Sequence, residues 1–220
     1  MLFKELMELE AVEFSPIDGI SKKKTVRKLR LVLTPEERER VDIHLKNTNH
    51  SFWRFTNIFF HSSGRETELM RLQGKHVDIE RQRYIALVEK GREYKEVEHT
   101  IKDVALPFWK EVMEPCSTED YVFSVGLEPD AKKIRADQIT RRWDRHVKKK
   151  LGIKADFYAF KHLNTDETAT YLGLKGAADH NDHTNTKTTE DHYAFGEKER
   201  RHQRLKKVPN QLVPNLQLNS

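Results

Sequence analysis

Residues 51–62 place six large apolar side chains, Phe52, Trp53, Phe55, Ile58, Phe59 and Phe60, within little more than three helical turns. At about 3.6 residues per turn they cover most faces of a helix rather than one stripe. Such a helix is stable only in a domain interior. The rest of the chain must therefore supply layers on more than one side of it. Hydrophobic residues make up 36% of the chain and charged ones 34%, against roughly a quarter charged in an ordinary domain. The core must come from a few dense clusters, under a heavily solvated surface. The 220 residues suffice for one large domain or two small ones, at roughly 100–200 residues each.

The elements around this helix are legible from local signals. Thr34-Pro35-Glu36-Glu37 reads as a capping box with proline at the first helical position, starting a helix to about Lys46. A short helix follows Gly64, then strand-like runs at His76–Ile79, Tyr84–Val88 and Tyr94–Ile101, the last two joined by a hairpin turn at Glu89-Lys90-Gly91-Arg92. Residues 107–114 are helical, and Tyr121–Leu127 reads as extended. A helix over 135–151 aligns Ile139, Trp143, Val147 and Leu151 on one stripe. Further helices fit 158–173, 175–181 and about 187–206. The predicted fold class is mainly α with a small three-stranded antiparallel sheet (α+β). Trp53 and Trp143 are expected in its core.

Lys and Arg number 40 against 35 Asp and Glu, with a pI near 9.1, and the excess is uneven. Positions 20–30 hold six basic residues and no acid, 131–154 hold ten against two Asp, and 198–207 are basic again. On a shared face these stretches would neutralise phosphates from several sides; the alternative is a set of separate solvated helix faces. Lys148, Lys149 and Lys150 carry the same two readings. The single Cys116 excludes an intramolecular disulfide and a cysteine-based zinc cluster. No apolar run approaches the ~18 residues needed to span a bilayer, so no membrane partner is expected. The expected compartment is cytoplasmic.

Chemistry concentrates in His61-Ser62-Ser63-Gly64-Arg65-Glu66-Thr67-Glu68-Leu69, directly after the aromatic helix. An arginine where a buried helix ends is costly unless it meets an anion. Glu68, three residues on, lies on the same helical face. Arg65 is therefore either one half of a structural ion pair or a cation held for an external anion.

These residues resemble the catalytic domain of the tyrosine recombinases, the phage-integrase family of site-specific recombinases. Gly64-Arg65-Glu66-Thr67-Glu68-Leu69 is similar to the family's Gly-x-Arg-x-x-Glu-Leu motif, with one residue fewer between Gly and Arg. Lys90-Gly91 looks like the catalytic lysine of the family's hairpin. Tyr158-Ala159-Phe160-Lys161-His162 stands where the family has His-x-x-Arg followed by histidine, and His183 and Tyr193 stand at the second histidine and the nucleophilic tyrosine. The order agrees from about Leu33 to Leu205.

The resemblance implies a metal-independent reaction with no cofactor. Tyr193 attacks a DNA phosphodiester, giving a 3′-phosphotyrosyl bond and a free 5′-hydroxyl that can rejoin to another partner. Arg65 and Lys161 stabilise charge on the non-bridging oxygens. Lys90 protonates the departing oxygen, and His183 binds the phosphate or assists proton transfer. Three positions depart from the family. Lys161 replaces an arginine, losing the bidentate fork. Tyr158 replaces a histidine, keeping a hydrogen-bond donor without a comparable base. Asp182 replaces the glycine before His183.

Other residues have plainer readings. Tyr84, Tyr121 and Tyr171 are expected to pack, Lys95 competes with Lys90 for the hairpin role, and His162 is expected to pack or support. Asp179, His180, Asp182, His183, Asp191 and His192 match no metal-ligand spacing and read as a solvated run. The expected organisation is a linker or remnant of an absent N-terminal core-binding domain at 1–30, a catalytic domain at 31–207 and a flexible tail at 208–220. Double-stranded DNA is the expected partner. The resemblance implies a homotetramer on paired sites that exchanges a C-terminal segment, and a monomer without DNA. Integration or excision of a mobile element is the implied role. A catalytically decayed DNA-binding relative is the alternative, and a metal-dependent nuclease using the His/Asp run is a third reading.

Overall fold

The computed structural model describes residues 2–15, 31–90, 93–182, 186–187, 189 and 196–206. Its order is α1 (Leu2–Glu8), α2 (Pro35–Thr48), α3 (His50–His61), α4 (Glu66–Leu69), β1 (Val77–Asp78), β2 (Arg83–Lys90), β3 (Glu93–Thr100), α5 (Leu106–Met113), α6 (137–151), α7 (Ala159–His180) and α8 (Glu197–Lys206). The strands form one antiparallel sheet in the order β1-β2-β3. The predicted mainly helical class with a three-stranded sheet is the observed one.

The capping box forms at the start of α2. Glu37 donates its backbone N–H to Thr34 Oγ1 at 3.2 Å, and Thr34 donates its own to Glu37 Oε2 at 3.0 Å. Asn49 then separates α2 from α3, breaking the helix at φ −158° and accepting the Phe52 N–H at 3.2 Å. The break lets α3 turn its aromatic faces inward. Phe52, Phe55, Ile58 and Phe59 are fully buried, as the sequence requires. Trp53 instead lies partly buried at the rim, with its indole N–H donating to Asp42 at 2.6 Å. An indole has a donor to satisfy, and the rim lets it reach a carboxylate.

Phe157, just before α7, is the hub of the aromatic core. It stacks on Phe59 with centroids 4.6 Å apart, on Phe52 and Phe55 at 6.0 Å each, and meets Trp143 edge-on at 5.4 Å. Trp143 comes from α6, where Ile139, Trp143 and Val147 are buried as one stripe. Their alignment survives a π-helical segment at Asp144–Lys148. A second aromatic chain runs from Tyr84 on β2 through Trp109 on α5 to Phe123, tying the sheet to the same core. Arg54, on the otherwise apolar α3, is buried but ion-paired to Glu111 at 2.8 Å and Glu128 at 2.6 Å, so its charge is compensated.

Several sequence expectations need correction. Residues 121–127 are not a strand. Tyr121 makes only isolated bridges to Gln73 and Asp130, and a 3-10 turn at Val125–Leu127 follows. By contrast, the two helices expected at 158–173 and 175–181 are present: α7 is two helical segments parted at Gly173, whose φ of 72° is the left-handed conformation that glycine tolerates. Tyr171 does not pack: it is 88% exposed. The basic stretch 20–30 and the tail 208–220 lie outside the described residues. Among the described residues no helix is long and apolar enough to cross a membrane.

Because Phe157 contacts three of the five large rings of α3, Phe52, Phe55 and Phe59, Phe157→Ala should lower the unfolding free energy by about 3–5 kcal/mol. Denaturant titration with an unchanged m-value checks this; a loss under about 1 kcal/mol would show that the cluster repacks and is not the hub.

Candidate active site

The core fixes where two polar segments meet. The end of α3 delivers Ser62-Ser63-Gly64-Arg65, and the Phe157 hub sets the start of α7 against it, with Phe160 edge-on to Phe60 at 5.8 Å. Arg65 caps α4. Its backbone N–H donates to Glu68 Oε2 at 2.6 Å, while its half-exposed guanidinium stands 3.7 Å from Glu68 Oε1. Glu68 is buried. One carboxylate thus fixes the turn and orients the arginine, leaving guanidinium surface open to solvent. The structural pair and the outward-facing cation foreseen as alternatives coexist.

Lys161, on the first turn of α7, is only 3% exposed, and its ammonium donates to the Ser63 carbonyl. Burial is the main cause lowering its pKa to about 8; the Arg65 charge adds to this, and Glu68 and Glu66 oppose it. Arg65 and Lys161 are therefore brought together around Ser63-Gly64 and Glu68.

Tyr158 lies at the N-cap of α7, with its ring edge-on to His162 at 5.3 Å. His162 is buried, in line with its expected packing role. Lys90 ends β2, opposite Glu93. The neighbouring Glu89 pairs with Arg71 at 3.1 Å, which ties this end of the hairpin to the segment after α4. His183 and Tyr193 lie outside the described residues, as do Asp191 and His192.

Four participants were not foreseen. Ser63 Oγ and His99 Nδ1 are 2.5 Å apart, with His99 buried on β3. Burial, reinforced by Lys161 and opposed by Asp182, lowers the His99 pKa to about 4, so its ring is neutral near pH 7. Tyr84, expected to pack, does so, and its hydroxyl also lies against Ser62, Ser63 and Gly64; burial raises its pKa. A Cβ added to Gly64 would stand 3.0 Å from that hydroxyl, so the loop approaches β2 more closely than most residues allow. His180, at the end of α7, is held to a pKa of about 3, first by burial and then by Lys102, Lys161 and His99. Finally, Glu66 has its pKa raised to about 7 because burial outweighs the attraction of Lys161. Only the Ser-Ser-Gly run hinted at this; the His99 and Lys161 contacts span 36 and 98 residues.

Outside this cluster a groove of about 700 Å³ opens between α4 and α6, lined by Glu66, Arg141, Arg145, Lys148, Lys149 and Tyr158 among others. The basic face of α6 thus shares a groove with Glu66 and Tyr158, the neighbours in sequence of the candidate site's Arg65 and of α7.

The sequence matches no family model and no curated protein. Solved structures do resemble the fold. A Tn1549 transposon integrase in complex with transposon right end DNA has a TM-score of 0.67 at 16% identity, covering 93% of this chain and 75% of that one. XerA recombinase has a TM-score of 0.61 at 16% identity, covering 89% and 70%. A lambda integrase dimer bound to a COC′ core site has a TM-score of 0.64 at 14% identity, covering 90% and 57%. The chain has the fold of the tyrosine-recombinase catalytic domains.

The depressed Lys161 pKa has a testable consequence for stability. Between about pH 8 and the unfolded value of 10.5, the unfolded chain binds more protons at this lysine than the folded one. This group's contribution to stability therefore rises with pH across that window. Relative to wild type, Lys161→Met should be more stable at pH 7 than at pH 10 by roughly 2 kcal/mol. Denaturant titrations at both pH values read the difference, and a pH-independent gap would contradict the buried ammonium.

Proposed function

We propose that residues 31–207 are the catalytic domain of a site-specific DNA recombinase. In this reading it cleaves and rejoins double-stranded DNA through a 3′-phosphotyrosyl intermediate, in the integration or excision of a mobile element. The observation that carries this reading is the meeting of Arg65 and Lys161 beside Glu66, itself a wall of the basic α6 groove, within a fold shared with recombinases and integrases. Arg65 has open guanidinium surface for a non-bridging phosphate oxygen, and Glu68 holds it in place beforehand. Such prior orientation is how a site stabilises transition-state charge without reorganising. Lys90 donates a proton to the departing 5′-oxygen, His183 contacts the phosphate, and Tyr193 is the nucleophile. Lys161 supplies positive charge to the loop that carries Arg65, and Tyr158 supplies a hydroxyl at the groove. The phosphoester bond is conserved in the tyrosyl linkage, so rejoining needs neither ATP nor a metal ion. Tetramers on paired DNA sites belong to the same reading.

One observation favours a second reading. Lys161 spends its ammonium on the Ser63 carbonyl and is almost fully buried, whereas an arginine there could bridge that carbonyl and a phosphate together. A relative that binds DNA without cutting it fits this feature.

Incubation with a pool of nicked duplexes in EDTA, followed by denaturing electrophoresis, separates the two. The recombinase reading predicts an SDS-resistant protein–DNA band in wild type that is absent from Tyr193→Phe. DNA binding without a band in either protein favours the non-cutting relative. A band that persists in Tyr193→Phe contradicts Tyr193 as the nucleophile, and a band abolished by EDTA points to the nuclease.

A further inference from the structure

Three carboxylates line the α6 groove, and they are not equivalent. Asp144 pairs with Lys149 at 3.0 Å, and Asp156 pairs with Lys148. Glu66 has no ion pair among the described residues, although it lies in the same groove next to Arg65 and within the field of Lys161. Arg141, across the groove, is held by Asp137 at 3.0 Å, and Arg145 has no carboxylate within ion-pair distance among the described residues. The groups facing Glu66 are thus Arg65 and Glu68 near its own element, Arg141, Asp144, Arg145, Lys148 and Lys149 on α6, Asp156 and Tyr158 before α7, and Lys161 on α7. The cations make the groove suitable for a polyanion. A bare carboxylate at Glu66 opposes that use, since two like charges ~5 Å apart repel by about 1–3 kcal/mol at effective dielectric constants of 80 to 20.

We propose that Glu66 engages DNA as a neutral carboxylic acid, so that binding takes a proton from solvent wherever free Glu66 is ionised. This inference rests on the DNA-handling reading above and adds to it a phosphate-binding residue and a pH dependence. The proton goes to a Glu66 carboxylate oxygen, and the resulting O–H donates to a non-bridging phosphate oxygen. On release of the duplex the proton returns to solvent. The raised Glu66 pKa agrees with this, because burial already disfavours the charged form before DNA arrives. The geometry also explains how an acid is tolerated in a phosphate groove: it becomes a donor there rather than a repulsive charge.

The test measures affinity for a nonspecific 30-base-pair duplex by fluorescence anisotropy at constant ionic strength from pH 6 to pH 8, for wild type and Glu66→Gln. With one linked proton and a free-state pKa of about 7, wild-type affinity should fall about tenfold between pH 6.5 and pH 8, and that of Glu66→Gln about twofold or less, the remainder coming from Lys161. Calorimetry in two buffers of different ionisation enthalpy should show net proton uptake near pH 7.5 in wild type and markedly less in the variant. Coincident pH curves for the two proteins, or a flat wild-type curve, overturn the inference while leaving the functional reading intact. A duplex bound by neither protein at any pH overturns both. Thermal unfolding gives a readout without DNA. The folded Glu66 holds its proton up to about pH 7, so wild type should lose stability relative to Glu66→Gln as pH rises from about 5 to 7. A constant gap would show that the carboxyl is not buried as described.

Discussion

The stacking of Phe157 against Phe52, Phe55 and Phe59 is the contact on which the rest of the structure depends. It joins the buried helix α3 to the entry of α7, two segments about a hundred residues apart in sequence. Everything polar at the candidate site hangs from those two ends. The exit of α3 carries Ser63 and Arg65, and the entry of α7 carries Tyr158 and Lys161. Aromatic stacking supplies area and orientation together, so the relative placement of Arg65 and Lys161 is fixed by packing rather than by the charges. That matters because bringing two cations together is unfavourable, and the site offsets it locally. Glu68 is buried between a backbone N–H and the guanidinium, and the Ser63 carbonyl accepts the ammonium.

How far the sequence discloses this structure depends on the range of the interaction. The aromatic helix, the Thr34 capping box, the hairpin and the Ile139-Trp143-Val147 stripe all rest on spacing within a few turns, and each forms as expected. The meeting of Arg65 with Lys161 was legible only through motif order, because no local rule links residues so far apart. The contacts that decide how Lys161 behaves were not legible. Its carbonyl partner lies 98 residues away, and the depth of its burial follows from how tightly α7 closes on α3. Tyr171 shows the opposite error. Its leucine neighbours suggested packing, but just before the Gly173 break it lies on the outer side of α7 with Leu172, which is itself exposed.

The chain also shows what a lysine does in an arginine's place. A guanidinium has five donors in a rigid fork and stays charged at any physiological pH, whereas an ammonium is a compact charge whose pKa responds to burial. Here the ammonium satisfies one carbonyl, and burial pulls its pKa down to about 8. The neighbouring Glu66 is displaced the other way, to about 7. Two groups with poised protons therefore stand where a fixed charge would otherwise dominate. The electrostatics of this site therefore depend on pH near neutrality.

The central proposal is that a rigid aromatic junction holds Arg65 ready for a phosphodiester beside Glu66 of the α6 groove. A crystal structure of the protein bound to a nicked duplex tests it most directly. The account predicts a non-bridging phosphate oxygen at about 2.7–3.2 Å from the Arg65 guanidinium, with the Phe157 cluster and the Glu68 contact to Arg65 unmoved. A duplex that crosses the groove without touching Arg65, or an α3–α7 junction that must open to admit it, would contradict the account.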